Sequence, residues 1–218
     1  MRKNNPTIGL LMFSFYSSRG NMGFAFLIIL VLSAALLITG NQSVYLFFTS
    51  VAVGALPYLI MMKMGAKNQL QWEKLQISMP LKRKNMVVSF YLSILIAMLA
   101  GLLLCGIILG IGIALHATLL EHVASTAFAS IANIIGLTLL MAGLILPIGS
   151  TKFGENRGEL FFVICMGIAI GIVFLINYVG SSAGIQPVFI SLAQIVISAI
   201  VFIISYYFTR KIYAKMDF

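Results

Sequence analysis

A chain of 218 residues that is 61% hydrophobic and only 9% charged does not describe a water-soluble domain, because soluble folds carry about a quarter charged residues and under half apolar ones. The length suits one compact bundle of spans and leaves no room for a second soluble domain. A net charge of +9 would suit a nucleic-acid binder, but the basic residues lie beside apolar runs. Anionic lipid headgroups and membrane orientation account for them better, and no nucleic-acid partner is expected.

The chain opens with Ile8, Leu11, Met12, Phe15 and Tyr16 at helical spacing, with Ser14, Ser17 and Arg19 between them. This pattern predicts an interfacial helix over 8–19, lying on the membrane before the first span. Leu10 and Phe13 blur the apolar face, so an extension of the first span is the other reading. A cleaved signal peptide is disfavoured, since the first apolar run begins near Met22 and is too long for such a segment.

A hydrocarbon core of roughly 30 Å needs about 20 apolar residues in helical form. Six segments satisfy this: 22–39, 44–62, 87–113, 124–148, 161–177 and 187–208, none containing Lys, Arg, Asp or Glu. The third would reach roughly 40 Å, so it is expected to tilt or project. The pieces 1–21, 63–86, 149–160 and 209–218 hold all 14 lysines and arginines, and the pieces between the other span ends hold none. Positively charged loops stay cytoplasmic. The expected fold is therefore an all-α integral membrane protein with six transmembrane helices and both termini inside, multi-pass in the cell membrane.

The cytoplasmic loop 63–86 is the longest polar piece. Within it, 69–79 mixes apolar and polar residues and stops at Pro80. In a helix Trp72, Leu75 and Met79 share a face, with Glu73, Lys74 and Gln76 pointing elsewhere. Such a short amphipathic helix would either dock into a partner's groove or rest on lipid headgroups.

Next come Ser78, Pro80, Arg83 and Lys84 in an S-x-P-x-x-R-K run, leading into a span with the pair Tyr91-Leu92. This resembles the cytoplasmic signature of the ABC-2 type permeases. A second segment, from Leu146-Pro147 through Lys152-Phe153-Gly154 to Glu155, looks like another motif of that family. Phe90 stands where many relatives have a lysine before the Tyr-Leu pair, so that lysine's role does not carry over. The resemblance implies a permease that pairs with cytoplasmic ATP-binding cassette subunits and a second, identical or similar, permease. It makes Trp72, Glu73, Leu75, Ile77 and Met79 the expected ATPase-coupling residues.

The chain itself offers little chemistry. It has no Gly-Lys dipeptide and so no phosphate loop; ATP and Mg would be bound by the partner, with no cofactor, metal or catalytic residue here. His116 and His122 flank Glu121 in an outer loop, six residues apart and on different helical faces. No ionisable residue lies within a span, which argues against proton- or sodium-coupled transport. Cys105 and Cys165 lie in apolar runs, where a thiol behaves as a small hydrophobe.

Two polar stripes stand out. Ser191, Gln194, Ser198 and Ser205 fall on one face of the last span, and Thr126, Ser130 and Asn133 on one face of the fourth. They either hydrogen-bond helices together or line a translocation surface. Gly106 with Gly110, and Gly167 with Gly171, predict small-x-x-x-small helix contacts. Pro57 is expected to kink the second span.

The expected function is the permease half of an ATP-driven exporter of amphipathic or hydrophobic cargo, small peptides first and lipophilic drugs next. The alternatives are a membrane module that captures a vitamin for import, and an immunity or assembly protein.

Overall fold

The computed structural model describes residues 6–39, 42–65, 83–115, 123–149 and 152–215. They form six α-helices: α1 Pro6–Thr39, α2 Gln42–Gly65, α3 Arg83–Leu115, α4 Val123–Gly149, α5 Lys152–Ser182 and α6 Pro187–Lys215. Helix is the conformation a lipid-embedded chain must adopt, because it satisfies every backbone donor and acceptor within the segment. Among the described residues four helices are long and apolar enough to cross a membrane, over Lys84–Ala114, Thr126–Pro147, Leu160–Ser182 and Pro187–Ala214. α1 and α2 contribute shorter apolar stretches, Gly23–Leu32 and Thr49–Met62.

Helix ends depart from the expected spans for physical reasons. α1 runs without interruption through both the segment expected at the interface and the first span. Residues 20–21 hold Gly and Asn but no proline, and a single glycine costs a helix only about 1 kcal/mol. α5 begins at Lys152 and α6 continues to Lys215, beyond the apolar limits, since polar helix formers extend a helix into water as readily as into lipid.

The α5–α6 connection is built from local rules. Ile185 N–H donates to the Gly180 carbonyl (3.0 Å) and Gly184 N–H to that of Ser181 (3.1 Å). Gly184 has φ of 71°. This is the left-handed glycine that closes a helix by satisfying its last carbonyls. Gln186 then accepts from Phe189 (3.0 Å) and Ile190 (3.3 Å), and Pro187 takes the first helical position, where its missing N–H costs nothing.

α4 is the most enclosed of the four long apolar helices, with 61% of its span window buried against 17% for α5. It packs on α2, α5 and most extensively on α6. α4 and α6 run parallel: Ser191 meets Ala129, Gln194 meets Asn133 and Phe202 meets Gly143. α2 and α3 run antiparallel, with Tyr45 donating to the Ile108 carbonyl at 2.6 Å near one end and Gly101 seated on Ala52 and Val53 further along. α1 packs on α2 and α3 at the edge of the bundle. The core gathers Val53, Met61, Val87, Ile94, Leu140 and Ala169, with Cys105 and Cys165 buried among them as free thiols.

Close approach comes from glycines other than the expected pairs. Gly106, Gly110, Gly167 and Gly171 all have open space where a Cβ would stand. They lie on outward faces, so the helix contacts predicted for them are not made among the described residues. At Gly101 a Cβ would come within 2.7 Å of the Ala52 carbonyl oxygen and 2.9 Å of that of Val53. Pro57 explains the second of these neighbours. α2 continues through Pro57, whose ring nitrogen cannot donate to the Val53 carbonyl four residues back. α3 covers that carbonyl with Gly101, a residue without a side chain, where a Cα–H can approach it.

Backbone cannot yield as a side chain can. Gly101→Ala is therefore expected to lower the thermal stability of the detergent-solubilised protein by about 1–3 kcal/mol, while Gly106→Ala stays within about 0.5 kcal/mol. Equal melting curves for the two variants would contradict the close α2–α3 contact.

Candidate functional site

The polar residues of α6 form one buried seam. Ser191, Gln194, Ser198, Ser205 and Thr209 are all under 5% exposed, and their spacing of three, four, seven and four places them on a single helical face. That face is turned inward, towards α4 along most of its length and towards α3 at its end.

At the first end of the seam three amides from three helices meet. Gln194, fully buried, donates from Nε2 to the Asn133 backbone carbonyl at 3.1 Å. Asn177 on α5 places its Nδ2 3.3 Å from Gln194 Oε1, 3.4 Å from Asn133 Oδ1 and 2.9 Å from the Val173 carbonyl. Two N–H bonds thus serve three acceptors, and the group sits as a shared donor between helices. Gly136 makes the arrangement possible: a Cβ there would lie 2.7 Å from Gln194 Nε2. Ser191 Oγ donates to its own helix at Pro187 O (2.8 Å) and lies 3.4 Å from the Ala129 carbonyl.

At the other end Tyr91 of α3 reaches α6. Its hydroxyl is 2.6 Å from Ser205 Oγ and 2.9 Å from Thr209 Oγ1. Between the two clusters Ser198 Oγ is buried without a hydrogen-bond partner among the described residues. Such a group costs about 1–3 kcal/mol.

The expected residues divide accordingly. The structure brings Asn133, Ser191 and Gln194 together and places Ser198 one turn below them. On α4, Thr126 is exposed and Ser130 half-buried, so that predicted stripe does not share one environment. Trp72, Glu73, Leu75, Ile77 and Met79 lie outside the described residues. Asn177 is not marked by any sequence pattern, because it is the lone polar residue of 161–177 and forms no stripe. Tyr91 was visible as half of the Tyr-Leu pair but not as a partner of α6. Its neighbour Leu92 points outward, 37% exposed.

A second feature is an open groove of about 1180 Å³ between the first half of α1 and the α2–α3 pair. Met12, Phe15, Phe26, Leu56, Ile96 and Leu104 are among its lining residues. The lining is almost wholly apolar and offers dispersion and hydrophobic contacts; the exposed Tyr16 contributes its one side-chain hydroxyl.

The amide cluster predicts energetic coupling between α5 and α6. Measured hydrogen bonds between membrane helices average about 0.6 kcal/mol. Asn177→Ala and Gln194→Ala combined should therefore destabilise the protein by about 0.6 kcal/mol less than the sum of the single variants. Strict additivity in a detergent unfolding series would show that the two amides do not interact.

The geometry is that of a helical membrane bundle whose buried amides and several buried hydroxyls meet at interhelical seams. A family model described as "ABC-2 family transporter protein" matches residues 9–214. No curated protein and no solved structure matches the chain. Because the match extends from the first turns of α1 into the last turn of α6, the chain belongs to the ABC-2 transporter family.

Proposed function

We propose that this chain is the permease subunit of an ATP-driven exporter, crossing the cell membrane six times with both termini in the cytoplasm. The observation that carries the reading is the family match across all six helices. It is supported by the segregation of all 14 basic residues to one side of the spans. Permeases of this family work with ATP-binding cassette subunits, and this sequence has no phosphate loop of its own. ATP and Mg would therefore be held by a partner chain, which binds the cytoplasmic loop at 69–79. A second permease, identical or similar, would complete the path. The outward face of α5, with Gly167 and Gly171 open, is a surface two bundles can share closely.

The cargo we favour is amphipathic or hydrophobic, small peptides before lipophilic drugs. No charged side chain lies in the spans to bind an ion, and the groove beside α1 offers an apolar wall. In the bundle as it stands, the polar seam holds α4 against α6. Parting those helices would turn Asn133, Gln194 and Ser198 towards a passing cargo.

Orientation is tested by labelling intact cells with an impermeant thiol reagent. In a background lacking Cys105 and Cys165, single cysteines at Gln42 and Ser181 should react and one at Lys74 should not; strong labelling at Lys74 reverses the topology.

Coupling is tested at the loop. Buried aromatic anchors are worth about 2 kcal/mol or more, which is roughly thirtyfold in association. Trp72→Ala with Leu75→Ala should leave membrane insertion intact while abolishing ATPase copurification and export, and Lys74→Gln should change little. Normal recruitment by the double variant would remove this helix from the coupling role.

A further inference from the structure

Resting on the exporter reading above, we propose that Tyr91 is a positioning residue that carries movement of the cytoplasmic loop into α6. Its place in the chain comes first. α3 begins at Arg83, where the 66–82 segment rejoins the bundle, and Tyr91 lies eight residues in. That is about 12 Å along a rigid helix. Met86, Val87 and Phe90, nearer the loop, bury apolar side chains in the bundle; among the described residues, Tyr91 is the first on α3 whose side chain hydrogen-bonds another helix.

The second argument is geometric. Tyr91 is 5% exposed and inserts as a knob into a hole made by Phe202, Ser205, Tyr206 and Thr209 of α6, four residues at the spacing that knobs-into-holes packing requires. Its ring centroid is 4.9 Å from that of Phe202 and 5.3 Å from that of Tyr206. Its hydroxyl reaches Ser205 Oγ at 2.6 Å and Thr209 Oγ1 at 2.9 Å. A phenol has one proton to give and lone pairs to accept, so it donates to one hydroxyl and accepts from the other. Because Ser205 and Thr209 are one turn apart, a single oxygen between them fixes α6 in both height and rotation.

Purely apolar contacts between helices slide at little cost, but sliding this one strands three hydroxyls in an apolar interior. The nearby hydroxyls of α3 do not share the task. Ser89 and Ser93 donate to the carbonyls of Met86 and Ser89, within α3 itself. α6 in turn carries the polar seam against α4, so the clasp joins the loop to the seam.

The test uses the full chain with its copurifying ATPase subunits, in a background lacking Cys105 and Cys165. Spin labels replace Leu92 on α3, Phe208 on α6 and Val163 on α5, all exposed positions. With wild-type Tyr91, trapping by ATP and vanadate should change the 92–163 and 208–163 distances together. Tyr91→Phe keeps the ring and removes the hydroxyl. It should retain the 92–163 change, lose the 208–163 change and lower export about sevenfold, the worth of two membrane hydrogen bonds. ATPase copurification and the KM for ATP should stay unchanged. Ser205→Ala with Thr209→Val should reproduce this behaviour from the other side, and adding Tyr91→Phe to it should cost nothing more.

A Tyr91→Phe protein that is less stable yet keeps both distance changes and exports at the wild-type rate overturns the proposal. A wild-type complex that neither moves nor exports overturns the exporter reading itself, and the role of Tyr91 with it.

Discussion

The absence of water between apolar helices is the constraint on which this structure depends. A hydroxyl or amide taken into the bundle is costly unless it finds a partner on its own helix or on a neighbour. Single hydroxyls such as Ser89, Ser93 and Thr138 solve the problem locally, by donating to a carbonyl three or four residues back. Groups that reach further, Tyr45, Tyr91, Asn177 and Gln194, become the points at which one helix is fixed to another. Between these points the helices meet through apolar surface, which sets proximity but not register.

Close approach is the necessary companion of those bonds. An amide side chain spans only a few ångströms, so helices joined by one must nearly touch. Gly136 supplies the space for Gln194, and Gly101 supplies it where Pro57 has left the Val53 carbonyl without its helical donor. Proline and glycine, on different helices, thus answer one another across the α2–α3 contact. Gly167 and Gly171 on α5 face outward, where they shape the surface of the bundle and not its interior.

This arrangement suits a transporter of the ABC-2 family. The polar contacts of α6 lie at the two ends of one seam, with Ser198 between them lacking a partner among the described residues. A machine that must alternate between two packings benefits from a few discrete polar clasps, because each can be released as a unit and remade. A uniformly polar interface would resist any movement, and a uniformly apolar one would hold no defined state.

The sequence by itself determined the class of protein, the apolar segments and the gathering of lysine and arginine in the pieces outside them, because length, hydropathy and basic residues act locally and can be read one segment at a time. It also marked Ser191, Gln194, Ser198 and Ser205 as one face, since helical periodicity is a property of a single helix. It pointed to the family through two short motifs at helix junctions. What only the tertiary structure decided is which face meets which neighbour. The sequence spacing of Gly106–Gly110 and Gly167–Gly171 is as suitable for packing as any, yet Gly101 and Gly136 do that work. Asn177, alone in its span, becomes the shared donor of three helices, and Tyr91 clasps a helix more than a hundred residues away. Pairing between distant segments depends on the rotation of each helix about its axis. That rotation is set by the whole bundle and leaves no periodic trace in the chain.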